Sequence, residues 1–427
     1  MSARLVSVTG QEVKIELTIE LGRSLLKTEE GIQASLNEAG CLASGEALRY
    51  LDTDGSPIKV GGELWRTKGQ QPKAYQTPYG EVVIVRHVYQ RSGGGATYCP
   101  LEREARIVVT STPRFAKQVS SKLAYGAGRE VQRDLADNHG RAVAVSYLQR
   151  LSEAVASVVQ AKEEAWSYAP PLLATEIRTV SVGLDGTCLL LCEDGWREAM
   201  TGTLSLYDGQ GERQHTIYLG ATPEYGKGRF LERLEREVKR AQQAYPQATF
   251  VGIADGAESN WRFLEQHTTV QLLDFYHAVG YLGAVATAAH PDDDAQRQHW
   301  LTTRCHQLKH DPGAAEALYQ EMTQLQQHAS PLTPTGQEKL TAAVTYFNNH
   351  RHQMAYAQYR QQQYPIGSGV TEAACKTLVK QRLCQSGMRW KEMGAAAVLS
   401  LRALVLTPMR WTQFWNKLDQ YGFPVAA

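Results

Sequence analysis

The chain has 427 residues, 43% of them hydrophobic and 21% charged, with a net charge of +1. That length corresponds to about two to four domains, and the composition excludes global disorder. No run of about 18 uncharged apolar residues occurs, and the start, Met1-Ser2-Ala3-Arg4-Leu5-Val6, lacks the apolar stretch of a secretion signal. A soluble, cytoplasmic protein without a membrane anchor is expected. The seven cysteines are scattered and form no CxxC, which argues against a disulfide framework and a zinc ribbon.

The small net charge hides a gradient. Residues 1–170 carry 21 Lys/Arg against 19 Asp/Glu (+2), residues 171–330 carry 13 against 21 (−8), and residues 331–427 carry 11 against 4 (+7). An acidic middle beside a basic end suits a protein that gathers cations in one place and touches polyanions in another.

In chain order, residues 11–51 read as helical, with Leu25, Leu26, Ile32 and Leu36 facing inward. A hairpin follows: Tyr75–Thr77, the turn Pro78-Tyr79-Gly80, and the apolar run Val82–Val85 leading to His87 and Tyr89. Gly93-Gly94-Gly95 then turns the chain back to Ala96–Tyr98. Residues 113–167 form a helical run. Within it Arg129–Asn138, Gly140 and Ala142–Ala156 fit a helix-turn-helix, whose Arg129, Arg133, Arg141 and Arg150 can meet phosphates. Tyr168-Ala169-Pro170-Pro171 is the clearest linker.

Beyond the linker the pattern changes to strands. Thr179–Leu184 ends at Asp185-Gly186, and Met200–Leu206 and Gln214–Leu219 follow. A charged helix covers about 227–244, then Thr249–Ile253 ends at Ala254-Asp255-Gly256, and a helix (259–266) leads to the strand Val270–Leu273. Three strands followed by helix, strand, helix and strand make a mixed α/β sheet with carboxylates at strand ends. Residues 275–359 are helical, broken at Pro291, Pro312 and Pro331–Pro334, and too long for a connection. Residues 365–406 open with Pro365-Ile366-Gly367-Ser368-Gly369 and continue as basic helices carrying Lys376, Lys380, Arg382, Arg389 and Lys391. The expected organisation is an N-terminal region of helices plus a β-hairpin (1–112), a helical DNA-binding region (113–170), a catalytic core (171–289 and 360–406), a helical insertion (290–359) and a tail (407–427).

Asp185 and Asp255 each follow a buried strand and precede a glycine, so adjacent parallel strands would bring them together. Two such carboxylates repel unless they share a divalent cation. Glu372, in the helix opened by Gly367-Ser368-Gly369, adds a third set of oxygens. Three carboxylates can hold Mg²⁺, or two ions that clamp the attacking and leaving oxygens of a phosphodiester. Glu193, Asp194 and Glu198 read as turn residues, Cys188 and Cys192 as core, and Trp390, Trp411 and Trp415 as packing.

The segments Val182-Gly183-Leu184-Asp185-Gly186, Glu193-Asp194-Gly195-Trp196-Arg197-Glu198, Ile253-Ala254-Asp255-Gly256-Ala257 and Gly367-Ser368-Gly369-Val370-Thr371-Glu372-Ala373-Ala374-Cys375-Lys376 resemble a DDE transposase of bacterial insertion sequences. The nearest resemblance is to the ISKra-type group, to which Gly387-Met388-Arg389-Trp390, Arg410-Trp411 and Phe414-Trp415 are also similar. The resemblance spans roughly residues 75–420. It implies an RNase H-like core with Asp185, Asp255 and Glu372 as catalytic and metal-binding triad, and Mg²⁺ or Mn²⁺, two ions, as cofactor. Asp274-Phe275-Tyr276-His277 resembles the C/D-x-x-H signature of several transposase groups. It makes His277 a further catalytic candidate beside the scissile phosphate, against the plainer expectation of a capping aspartate and a buried histidine. Many members of the group carry a cysteine-rich motif before the hairpin. Here that region reads Leu51-Asp52-Thr53-Asp54-Gly55-Ser56, so a structural zinc is not supported.

The implied activity is DNA transposition, with hydrolysis at the insertion-sequence ends followed by attack of the freed 3′-OH on target DNA. The implied partners are double-stranded DNA and further copies of the chain, as a homodimer or larger, on the bacterial nucleoid. DNA contacts are expected at Arg129, Arg133, Lys376, Lys380, Arg382 and Arg389. An RNase H-like structure-selective nuclease is the enzymatic alternative, and a domesticated DNA-binding regulator is the non-enzymatic one.

Overall fold

Glu12–Thr18 alternates Val13, Ile15 and Leu17 with charged residues, a period of two that suits a strand facing two environments. It forms strand β2, antiparallel to β1 (Ser2–Thr9). The expectation of helix from residue 11 is therefore corrected: helix begins only at α1 (Leu25–Tyr50), where the Ser24 hydroxyl accepts from the Lys27 amide. Leu25 and Leu26, expected to face inward, are 70% and 66% exposed, and Leu36 is exposed as well. The computed structural model describes residues 2–163, 165–223, 227–328 and 332–423. Pro331 and the last four residues of the expected tail lie outside the described residues.

The chain divides into two compact units. In the first, β3 (Ile58–Val60), β4 (Glu63–Gln76) and β5 (Glu81–Arg91) form an antiparallel sheet, and the turn between β4 and β5 is the expected Pro-Tyr-Gly. The strand expected from Tyr75 starts earlier, at Glu63. The Gly93–Gly95 turn returns the chain so that Tyr98 bridges Tyr89. Tyr75, Ile84, Leu101 and Ile107 are buried together, with α2 (Pro100–Glu104) closing that cluster. The helical run resolves into α3 (Pro113–Tyr125), α4 (Gly128–His139) and α5 (Val145–Lys162). Gly140 ends α4 in the left-handed conformation at φ +62°, as the expected turn requires.

The second unit opens with a meander: β6 (Thr179–Leu191), β7 (Gly195–Tyr207) and β8 (Arg213–Ala221). After α6 (Gly228–Ala244), strand β9 (Thr249–Ala254) pairs parallel to β6; after α7 (Glu258–His267), β10 (Val270–Leu273) pairs parallel to β9. The spatial order is β10-β9-β6-β7-β8, a five-stranded mixed sheet. Gly202 leaves room for Phe230 and Leu234 of α6, and Gly252 for Leu264 of α7. Because Val182 and Gly252 are register partners, as are Leu184 and Gly202, both helices lie on the same face.

α8 (Phe275–Ala289), α9 (Asp294–His310), α10 (Ala314–His328) and α11 (Pro334–His350) supply the expected helical insertion. It is not an independent core, since Leu308, Leu318, Met322 and Phe347 bury into the same cluster as Val182, Leu204 and Ile253. A 3₁₀ turn (Arg351–Gln353) and α12 (Tyr356–Gln361) lead to α13 (Gly369–Ala374), a π-helical turn (Cys375–Lys380) and α14 (Gln381–Leu383). The chain rejoins the first unit from Met393, in α15 (Glu392–Leu406) and α16 (Arg410–Tyr421), earlier than the expected boundary at 406. Leu401, Phe414 and Trp415 are buried with Phe115, Val119 and Leu148. No single helix among the described residues is long and apolar enough to cross a membrane.

Candidate active site

Asp185 lies within β6, not at its end, which corrects the reading of Asp185-Gly186 as a strand terminus. Leu189 and Leu191 are buried and carry the strand on alongside β7. Gly186 permits this, because a Cβ there would stand 2.1 Å from the Glu198 carboxylate. Pairing with β9, however, stops at Gly183↔Ile253. Continuing that parallel register two residues sets Asp185 beside Asp255, which follows Ala254 directly at the end of β9.

The third carboxylate arrives on α13, which packs on β6 and β7 opposite α6. Gly183 makes room for it, since a Cβ there would lie 2.1 Å from Thr371 Oγ1. The Thr371 and Thr203 hydroxyls meet at 2.7 Å in the buried interface. Glu372, next along the helix, is exposed, and its Oε1 accepts from the Ser368 hydroxyl at 2.8 Å. One turn on, the Cys375 thiol donates to Asp185 Oδ2 at 3.5 Å, while the Gly186 amide donates to Oδ1 at 2.7 Å. Burial pushes the Asp185 carboxyl above its ordinary value, and the charges of Asp255 and Glu372 push in the same direction. Burial, reinforced by the Asp185 charge, pushes the Cys375 thiol up to about 12, so it stays protonated and able to donate.

His277 stands in the first turn of α8, exposed, with Nε2 3.7 Å from Glu372 Oε1. Its expected partner Asp274 does not share that outlook. Asp274 is wholly buried as the N-cap of α8, accepting from the His277 amide at 2.9 Å and from the Ser368 amide. The Phe275 amide bonds to the Ile366 carbonyl at 3.0 Å, and Gly367 lies against the Tyr276 ring. The start of α8 and the Gly-Ser-Gly segment are thereby strapped together, which fixes His277 and Glu372 relative to each other.

Asp255 is fixed from a distance in sequence. Its carbonyl accepts from the Tyr346 hydroxyl at 2.8 Å, and its Oδ1 from the Ala257 amide at 3.2 Å. Gly256 has φ +115°, and Tyr346 and His350 of α11 lie within 3.3 Å of where its Cβ would be. Burial pushes the Tyr346 hydroxyl well above its ordinary value and depresses His350, so the tyrosine donates and the imidazole is neutral. Tyr346 and Thr203 were not identifiable from sequence as supports of the carboxylates. Gly183, Gly186, Ser368, Thr371 and Cys375 fell within quoted segments without an assigned role, and Asp274 fills the capping position that was the plainer expectation for it.

The three carboxylates occupy one edge of the sheet, where Asp185 feels the charges of Asp255 and Glu372. Among the described residues, no three His, Cys, Asp or Glu side chains stand close enough to hold a metal ion. The donor chemistry of Asp185, Asp255 and Glu372, hard carboxylate oxygens on three separately anchored elements, fits Mg²⁺ or Mn²⁺.

Of the other expected residues, Lys376, Lys380 and Arg389 are exposed in the stretch after Glu372, and Arg129 and Arg133 are exposed on α4. Arg382 is corrected. It is buried, its guanidinium over the Trp390 ring, so it packs the segment and is not presented to a phosphate. Trp390 donates to the Leu383 carbonyl at 2.8 Å, and Trp415 is buried beside Phe414, both as packing residues. Cys188 and Cys192 are exposed and not core. Glu198 pairs with Lys227 at 2.8 Å, and Glu193 and Asp194 are exposed in the β6–β7 turn.

The raised carboxyl of Asp185 has a thermodynamic consequence. The folded chain holds this proton more tightly than the unfolded chain, so without metal its stability falls as pH rises through the ordinary carboxylate range. Asp185→Asn should therefore raise the melting temperature in chelator at neutral pH, with the gain shrinking on acidification. A melting curve unchanged or lowered at neutral pH would contradict this. No family model matches the chain, and no curated protein matches it.

Proposed function

We propose that the protein is a DNA transposase that cleaves phosphodiesters at insertion-sequence ends and joins the freed 3′-OH to target DNA. The observation that carries this reading is the gathering of Asp185, Asp255 and Glu372 at one sheet edge from three separate elements. The strand order supports an RNase H-like core: a three-strand antiparallel meander with two further strands parallel to its first. The resemblance of the Gly-Ser-Gly-x-x-Glu segment supplies the reaction class, acting on double-stranded DNA of the bacterial nucleoid as a homodimer or larger assembly.

Asp185, Asp255 and Glu372 would hold Mg²⁺ or Mn²⁺. When bound, the ions neutralise charge on the phosphate and lower the pKa of water. The chain's own residues position the reactants. Cys375 and the Gly186 amide orient the Asp185 carboxylate, and Ser368 orients Glu372. His277 beside Glu372 offers a ring nitrogen to a non-bridging phosphate oxygen, and Lys376, Lys380 and Arg389 meet the flanking backbone. The π-helical turn directly after α13 is a local irregularity of the kind found at functional sites.

The test is a cleavage and strand-transfer assay with Mg²⁺ on DNA bearing the repeats that flank the gene. Nicked ends joined to target DNA support transposition. Cleavage of branched DNA without joining would favour the structure-selective nuclease, and absence of any cleavage would overturn the phosphoryl-transfer reading.

Reversing Arg129 and Arg133 to glutamate should weaken binding of end DNA by about tenfold or more. It should also reduce the salt dependence of affinity by roughly two counterions, because each lost phosphate contact releases about one fewer. An unchanged salt slope would move end recognition off α4.

A further inference from the structure

In the first unit a cavity of about 510 Å³ opens along one face of α3. Arg114, Lys117, Gln118, Ser121 and Lys122 line it, at positions i, i+3, i+4, i+7 and i+8 of one helical stripe. The opposite stripe, Phe115, Ala116, Val119 and Leu123, is buried in the core. An ordinary solvated helix face has open water above it. This one is walled by Asn37 of α1, Tyr79 of the β4–β5 turn, His139 at the end of α4 and Trp411 of α16.

The wall is cationic with no acid among its lining residues. Lys122 is paired with Asp134, but Arg114 and Lys117 have no acidic partner within ion-pair distance among the described residues. Arg114 also stands in the first turn of α3, where the helix dipole disfavours a cation. Burial and the charge of Arg114 depress the Lys117 ammonium below its ordinary value, a cost that a bound anion would relieve. Neutral donors stand beside the cations in Gln118, Ser121 and Asn37. Two aromatic rings complete the site. Trp411 is stacked on Phe414 at 5.8 Å, and Tyr79 rests on Gly40, where a Cβ would strike the ring. The volume is in the range of small-molecule sites.

We infer that this cavity binds a nucleotide, its phosphate against Arg114 and Lys117 and its base against Trp411 or Tyr79. The shared chemistry is a phosphate ester with an attached π-face, presented either as a free mononucleotide or as one nucleotide of a DNA strand. The site contains none of the carboxylate residues and stands apart from the phosphoryl-transfer reading.

The experiment uses the full chain carrying Asp185→Asn, which separates binding from cleavage, and titrates it with dAMP, inorganic phosphate and a short 5′-phosphorylated oligonucleotide. Arg114→Ala with Lys117→Ala should weaken binding about tenfold or more and lower its salt dependence by roughly two counterions. Tyr79→Leu and Trp411→Leu, each checked for a native melting temperature, should weaken the nucleotide probes and leave inorganic phosphate unaffected. Competition by dAMP assigns the cavity to free nucleotides, and binding of the oligonucleotide alone assigns it to a strand; either supports the site. Unchanged affinity in the folded double variant overturns it, as does inorganic phosphate competing as well as dAMP. Failure of the wild-type chain to cleave DNA would overturn the transposase reading without altering any of these results.

Discussion

Asp185→Asn is expected to reduce DNA cleavage by at least about three orders of magnitude, or about 4 kcal/mol of barrier, while binding of end DNA is retained. The asparagine keeps one acceptor oxygen for the Gly186 amide and turns its NH2 toward the Cys375 sulfur, a weak acceptor, so the side chain keeps its place with one of the two bonds reversed. What disappears is the negative charge of Asp185, whose ionisation burial opposes. Asp255→Asn and Glu372→Gln should behave alike, because each removes one of the three charges that would hold the cation under the proposed function. Retention of wild-type cleavage with Mg²⁺ in any of these variants would end the metal-dependent reading. Loss of DNA binding along with cleavage would instead place phosphate contacts on the carboxylate edge itself.

The second large effect is expected at Asp274, which touches no reacting atom. Its buried carboxylate is the shared acceptor for the His277 and Ser368 amides. Asp274→Ala removes a helix cap worth about 1 kcal/mol and strands a second buried amide at about 1–3 kcal/mol, giving a total loss of about 2–4 kcal/mol. Equilibrium denaturation should read this directly. Cleavage should also fall under conditions where the variant remains folded, because the strap that sets His277 against Glu372 is cut. Asp274→Asn keeps one acceptor oxygen, enough for one of the two amides, and should recover only part of the stability. A loss below about 0.5 kcal/mol in the alanine variant would mean that the strap is held by other contacts.

Much of the sheet was legible because its strands are β-branched runs broken by turn residues. The Val82–Val85 run after Pro-Tyr-Gly and the strand at 249–253 follow this rule. Residues 12–18 were misread because glutamate and lysine favour helix in isolation, while the alternation of Val13, Ile15 and Leu17 decides for a strand. Asp185-Gly186 was misread because Asp-Gly is a turn signal. Here the glycine instead accommodates a neighbouring carboxylate across the strand pair. The three carboxylates were readable from motif and topology together. Their supports were not, since Tyr346 lies 91 residues from Asp255 and Thr371 lies 168 from Thr203, separations that no local pattern encodes. Arg382 shows the reverse error: a basic residue in a basic stretch whose aromatic neighbour, Trp390, holds it inside.

The first unit is built from the two ends of the chain, with residues 169–392 emerging between them. At synthesis rates of about 5–20 residues per second, helices α3–α5 leave the ribosome roughly 10–45 s before the segment that carries Leu401, Phe414 and Trp415. Throughout that interval the nascent chain displays the apolar faces that these three residues cover in the finished protein. This is the kind of surface on which holding chaperones act. A message cut short before residue 393 is expected to give a product whose first unit keeps this apolar surface uncovered and open to proteolysis. Quality control is therefore written into the order of the chain.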